Sequence, residues 1–172
     1  MFKNIVFNRQ YGLYCNLQYI PNIKNCIRSY YKFLIDDFSK NYISDIYSFV
    51  ESISPYFWVI TDYDDTFMGF VFLDNFTGNE NKLYSAELTT CFERGAWGVF
   101  TRFAAKIFLK KCFDELGLVK IKAQIYPDNF RVKTLLKSSG FTYETTLVNE
   151  TLRLGKPQNI DIYAMYRDYY YK

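Results

Sequence analysis

ERGAWGVFTRF, residues 93–103, carries the chain from one periodicity into another. Before it, KLYSAELTTCF (82–92) reads as an extended segment. After it, Phe100, Phe103, Ala104, Ile107, Phe108 and Phe113 recur at three- and four-residue spacing, the mark of one buried helical face. Gly117 suits a left-handed cap at the end of that helix. Val119, Ile121, Ala123 and Ile125 then alternate with Lys120, Lys122 and Gln124, which predicts a strand with one buried face. Strand, helix and strand in that order predict a βαβ unit, so the two strands run parallel. The turn between the first strand and the helix holds Gly95, Gly98 and a cation at Arg94. It reads either as a cradle of backbone N–H groups for phosphate or as a tight turn with Trp97 plugging the core.

The flanking segments complete one fold. IVF near residue 5 is a short first strand, and Pro21 stands near the start of a helix whose face is Ile23, Cys26, Ile27, Tyr30 and Leu34. Ile43, Ile46, Tyr47, Val50 and Ile53 mark a second helix, stopped by Pro55. FWVITD and MGFVFLD, joined by DYDDTF, predict a hairpin. Asp128, beside Pro127, is the expected N-cap of a further helix with Val132, Leu135 and Leu136 inward and Gly140 at its end. FTYETTLV and NIDIYAMYR close the chain as an antiparallel hairpin across a turn containing Gly155 and Pro157. No repeat, linker or composition break divides the chain, so residues 1–172 are expected to form a single α/β domain with a mixed sheet.

Composition narrows the function classes. A net charge of +3, with Lys and Arg interspersed among acids, does not predict a nucleic-acid partner. The 17 Tyr and 17 Phe are so abundant that no single ring marks a stacking platform. Cys15, Cys26, Cys91 and Cys112 lack CxxC spacing and the chain has no His, so no metal site is expected. No apolar run reaches the roughly 18 residues of a membrane span, and a soluble, cytoplasmic protein is the expectation.

The element order, with YPDNFRVKTLLKSSGF (126–141) after the second parallel strand, resembles the GNAT superfamily of acetyl-CoA-dependent N-acetyltransferases over roughly residues 57–170. Pro127, Asn129, Leu135, Lys137, Gly140, Phe141 and Glu144, then Asp161, Tyr163, Ala164 and Met165, are most similar to the branch that acetylates ribosomal-protein N-termini. The resemblance implies a GNAT-like, mostly antiparallel sheet with a central parallel βαβ unit and flanking helices. It implies acetyl-CoA as cosubstrate, with no metal. Arg94, Gly95, Ala96, Trp97, Gly98 and Val99 would hold the CoA pyrophosphate with Arg102 nearby, although Trp97 and Val99 stand where the family carries small residues. Backbone N–H groups of Leu88, Thr89 or Thr90 would polarise the thioester carbonyl where the strand splays from its neighbour, and Asn129 would hydrogen-bond the pantetheine arm.

For the base, Glu87 comes first, since AEL resembles the Ala-Glu-Ile of histone-type members, and Glu144 second. Family members carry a proton donor where this chain has Leu136 or Val132, so Tyr126, with Tyr143, is the nearby alternative. Asp36, Asp37, Asp45, Asp62, Asp64 and Asp65 would suit a cationic acceptor, either a protein N-terminus or a small polyamine-like amine. The alternative is a GNAT-fold binding or structural module without turnover, of a kind found in tailed phages and associated with virion assembly partners. A homodimer is compatible with either.

Overall fold

The computed structural model describes residues 1–8, 10–39, 45–79 and 81–172. Along the chain the elements are β1 (Phe2–Asn4), β2 (Phe7–Asn8), β3 (Leu13–Tyr14), α1 (Ile20–Ser29), α2 (Tyr31–Leu34), α3 (Ile46–Ile53), β4 (Phe57–Thr61), β5 (Phe67–Asn79) and β6 (Lys82–Phe92). They continue with α4 (Val99–Asp114), β7 (Lys120–Ile125), α5 (Phe130–Ser138), β8 (Thr142–Arg153), β9 (Lys156–Tyr166) and α6 (Arg167–Tyr170). Seven strands form one sheet in the order β1-β4-β5-β6-β7-β9-β8, and β2 and β3 form a separate two-stranded ribbon. Among the described residues only β6 and β7 are parallel neighbours, pairing Ser85 with Lys120, Ala86 with Ile121 and Glu87 with Lys122; the other neighbouring pairs in that sheet are antiparallel. This is the mixed α/β, mostly antiparallel GNAT-type arrangement with one parallel βαβ unit.

Strand alternation sends side chains to two separate cores. Phe57, Val59, Phe70, Phe72 and Cys91 face α1 and α3, where Ile23, Cys26, Ile27, Ile46 and Val50 cover them. Trp58, Ile60, Val71, Leu73, Ala86 and Phe92 face α4 and α5. All five residues of β4 are therefore buried, because both faces of the sheet are covered. Asp161, only 6% exposed on β9, accepts from Thr146 at 2.7 Å and pairs with Lys133 of α5 at 3.1 Å, so it fastens that helix to the C-terminal hairpin.

Several boundaries differ from the sequence reading. The first strand of the sheet is β1, at residues 2–4, and Ile5 beyond it is wholly buried in the α1/α3 core. Ile43 lies outside the described residues. Phe103 is 48% exposed, and Leu109 and Cys112 take the inward places on α4, because the buried stripe turns around so long a helix. Asn129, not Asp128, caps α5 by accepting from the Val132 N–H, while Asp128 pairs with Arg153 at 3.0 Å. The last hairpin turns at Leu154 and Gly155, both with positive φ, as a two-residue primed turn requires. Pro157 is instead a strand residue opposite Leu152.

Gly69 faces Phe92, the last residue of β6, and a Cβ there would lie 2.4 Å from the Cys91 carbonyl oxygen and 2.9 Å from Phe92 Cα. Gly69→Ala is expected to lower unfolding stability by about 1–3 kcal/mol in a denaturant titration, since backbone has to move. A change below about 0.5 kcal/mol would show that the two strands do not approach so closely.

Candidate active site

The site begins where the parallel ladder stops. β6 keeps its pairing with β5 as far as Gly69–Phe92, and β7 keeps its pairing with β9 as far as Ile125–Asp161. Between each other, however, β6 and β7 pair only through Glu87 and Lys122. The edge of Leu88, Thr89, Thr90, Cys91 and Phe92 that faces β7 is thus left without a strand partner, and backbone polar groups so exposed call for another one. A cleft of roughly 360 Å³ lies along this opening, lined by Thr90, Cys91, Trp97, Asn129 and Arg131, with Tyr30 of the α1–α2 corner across from them.

The open edge leads into a short 3-10 turn, Arg94–Ala96, and then to α4. Gly98 has φ 118 and ψ −124, a conformation that only glycine adopts without strain. The first-turn N–H groups of Val99, Phe100 and Thr101 have no acceptor within the helix, and no side chain caps them. A Cβ at Gly95 or Gly98 would meet nothing within 4 Å, so the turn offers amides and empty space together. Its other groups are engaged: the Ala96 N–H donates to the Glu93 carbonyl and its methyl is buried, and the Gly98 N–H donates to the Thr101 hydroxyl at 3.1 Å. Trp97 packs edge-on against Phe92 with centroids 5.7 Å apart, so it is a core contact and a wall of the cleft at once.

Two residues at the start of α5, its cap Asn129 and Arg131 of its first turn, face this opening. Asn129 is 8% exposed; its side-chain oxygen caps the helix while its NH₂ donates to none of the described residues. Arg131 lies over the Trp97 ring at 5.2 Å and reaches the Tyr30 hydroxyl at 3.5 Å. Sequence reasoning passed over Arg131, because a charge in the first turn of a helix has no periodic signature. Arg94 and Arg102 are exposed, and neither makes an ion pair among the described residues.

On the α1/α3 face, Glu87 accepts from Asn75 at 2.8 Å and Gln124 at 2.7 Å and lies 3.4 Å from the Lys122 ammonium. Glu144 is held by Lys120 at 2.7 Å and by the Tyr166 hydroxyl at 2.7 Å, and the Lys120 contact draws its carboxyl below the usual range. Lys120 pairs with Ser85, at the closed end of the ladder, so Glu144 stands away from the opening that Glu87 borders. Tyr126 is 6% exposed, and burial pushes its phenol above the ordinary value. It lines a hollow with Gln124, Asp36 and Glu150. Tyr143 is 53% exposed and meets Thr146. Leu136, at the position of a donor in the family, is packed into the α4/α5 core.

Most of the expected acidic acceptor surface proves to be structural. Asp45 caps α3, Asp62 accepts the Asp64 and Thr66 N–H groups, Asp65 pairs with Lys3 at 2.6 Å, and Asp37 accepts the Leu154 and Gly155 N–H groups. The carboxyl that sequence reasoning missed is Asp74, the register partner of Glu87 on β5. It lines a hollow under α1 and α3 with Thr89, Ser39 and Phe49, and burial together with the Glu87 charge pushes its carboxyl up to about 6.

A carboxyl raised in the folded state favours the fold while protonated, so stability falls as pH rises from about 4 to about 6. Asp74→Asn is expected to remove that slope and to add on the order of 1–2 kcal/mol at pH 7, discounting for partial solvent access. Denaturant titrations at pH 4 and pH 7 check it; parallel curves for the two proteins at both pH values would contradict the burial of this charge.

Residues 24–142 match the family described as acetyltransferase (GNAT) domain. A search of curated proteins found no match. Among solved structures, a chimera of the Vibrio cholerae spermidine N-acetyltransferase SpeG and hSSAT is 25% identical with a TM-score of 0.60, over 67% of this chain and 70% of that one. The Vibrio cholerae spermidine N-acetyltransferase in complex with CoA and spermine has a TM-score of 0.72 at 20% identity, over 92% and 95%. A GNAT-family acetyltransferase from Bacillus anthracis gives 0.63 at 17%, over 73% and 75%. The family match takes in the splayed parallel pair, the glycine turn, α4 and α5, and it spans more than half of the 172 residues, so the chain belongs to the GNAT acetyltransferase family.

Proposed function

We propose that this chain transfers an acetyl group from acetyl-CoA to a primary amine of a small polycationic acceptor. One observation carries the reading: β6 parts from β7 after Glu87 and its open edge runs into a glycine turn that presents free helix N–H groups. Bound there, acetyl-CoA supplies a thioester carbonyl open to attack by a neutral amine. The residues present suit such a ligand. An open strand edge pairs with the amides of an extended pantetheine arm as it would with an added strand. The N–H groups of Val99, Phe100 and Thr101, unobstructed at Gly95 and Gly98, suit a pyrophosphate, and Arg94, Arg102 and Arg131 add positive charge around it. Asn129 offers its NH₂ to a carbonyl of the arm, and a backbone N–H among Leu88, Thr89 and Thr90 polarises the thioester oxygen.

The acceptor reading rests on the hollow that holds Glu150, Gln124 and Tyr126, with the charge of Asp36 on its wall although Asp36 is itself held by Phe38, Ser39 and Thr151, and on likeness to enzymes that act on spermidine. Carboxylates on its wall attract a chain bearing several ammonium groups. Tyr126, protonated and with its hydroxyl bonded to none of the described residues, is the proton donor to the departing thiolate. The likeness of Pro127–Glu144 to the ribosomal-protein branch makes a peptide N-terminus the second acceptor to try.

Calorimetry is expected to give a Kd for acetyl-CoA between about 1 µM and about 1 mM. Turnover with spermidine is expected to exceed turnover with N-terminal peptides; the reverse order would reassign the acceptor. Arg94→Glu and Arg131→Glu are each expected to weaken CoA about tenfold or more while sparing pantetheine. Equal loss for both ligands would make these arginines supports of the turn. No binding at millimolar acetyl-CoA would overturn the function.

A further inference from the structure

The two carboxyls that face each other across β5 and β6 have opposite surroundings. Asp74 and Glu87 are register partners, so their side chains leave the sheet on the same face within a few ångström of each other. Glu87 is occupied on both oxygens, one by Asn75 and the other by Gln124, with the Lys122 ammonium beside it. Asp74 receives no side-chain hydrogen bond and makes no ion pair among the described residues. It opens instead into the hollow under α1 and α3, with Thr89 of the unpaired β6 edge on its wall. Leu34 lines that hollow, the cleft along the β6 edge and the acidic hollow of Tyr126, so the three meet around one side chain. Thr89 is among the residues at which the open edge begins.

The geometry points to Asp74 as the general base that deprotonates the acceptor amine, with Glu87 as a positioning residue that holds Gln124 and Lys122. This rests on the acetyl-transfer reading and names the base within it. The Asp74 carboxylate takes one proton from the ammonium R–NH₃⁺, leaving R–NH₂. The nitrogen lone pair forms the C–N bond to the acetyl carbon, and the C–S bond breaks with its electron pair on sulfur. Tyr126 gives its phenolic proton to that sulfur and takes the second nitrogen proton in return, giving amide and thiol, and Asp74 returns its proton to solvent. Sum and charge balance as R–NH₃⁺ plus thioester giving amide, thiol and H⁺.

The charged groups facing Asp74 are Glu87 from β6 and Lys122 from β7. From the helical side the hollow is lined by Ser39, Ser52 and apolar residues such as Ile27, Phe49 and Ile53, with no further charge among the described residues. Poor solvation first, and the like charge of Glu87 second, raise the carboxyl to about 6, which brings its basicity toward the working pH. Two neighbouring carboxyls driven apart in this way are a recurring arrangement where one serves as the base.

The test joins carboxyl titration by ¹³C NMR on Asp-labelled protein with pH–rate profiles of wild type, Asp74→Asn, Asp74→Glu and Glu87→Gln on spermidine. Expected are a carboxyl resonance with midpoint near 6 that Asp74→Asn removes, and a wild-type kcat/KM that rises with pH through the same midpoint. Asp74→Asn should lose about 10²–10⁴-fold in kcat, lose that inflection and bind acetyl-CoA normally by calorimetry, with partial rescue in Asp74→Glu. Glu87→Gln, which removes the like charge beside Asp74, should move the Asp74 midpoint and the inflection of the rate profile to lower pH together. An Asp74→Asn protein with wild-type rate and profile, or an Asp74 resonance titrating near 4, would overturn the assignment while leaving acetyl transfer standing. A wild-type protein that binds acetyl-CoA and turns over no amine would overturn both.

Discussion

The site depends on the loss of one ladder of hydrogen bonds. β6 is held by β5 from Lys82 to Phe92, with two register shifts, and β7 by β9 along its whole length, so the two parallel strands cannot separate from their outer partners. Where the sheet twists them apart after Glu87 and Lys122, the backbone of one inner edge is left open. Two cores keep it so. The aromatic cluster under α1 and α3 and the larger one under α4 and α5 press on opposite faces, and the cleft opens between them. Cys26 of α1 and Cys91 of β6, with sulfurs 3.0 Å apart, show how closely the first of these cores abuts the open edge.

The same parting of strands organises the electrostatics. Anion-attracting groups gather at the C-terminal end of β6: the α4 amides, Arg94, Arg102 and Arg131. Carboxylates lie on the α1/α3 face. Most of them are bound to backbone N–H groups, as at Asp45 and Asp62, and these are fixed by turn and cap geometry rather than offered to a ligand. Asp74 stands apart because it is partly buried and its neighbour across the ladder carries the same charge, which together outweigh the contact with its own backbone N–H.

Periodicity made the central elements legible. KLYSAELTTCF coincides with β6 residue for residue, and the alternation of Ile121, Ala123 and Ile125 is that of β7. The parallel pair followed from strand–helix–strand order, and Gly98 was visible because only glycine tolerates its φ. What periodicity could not show were contacts set by register. Asp74 reads as an ordinary end of MGFVFLD until Glu87 is placed opposite it. Arg131 reads as a solvated helix charge until Trp97 is placed beneath it. Asp128 and Asn129 are both good caps in sequence, and the choice between them was made by Arg153, which pairs with Asp128 from the far hairpin.

Amide hydrogen exchange with and without acetyl-CoA bears most directly on the claim that the open edge of β6 and the first turn of α4 together hold the donor. Slower exchange at amides within Leu88–Phe92 and at Val99, Phe100 and Thr101, with little change in β8 and β9, is the predicted result. Unchanged exchange in both segments at saturating acetyl-CoA, or protection confined to another face of the sheet, would contradict it.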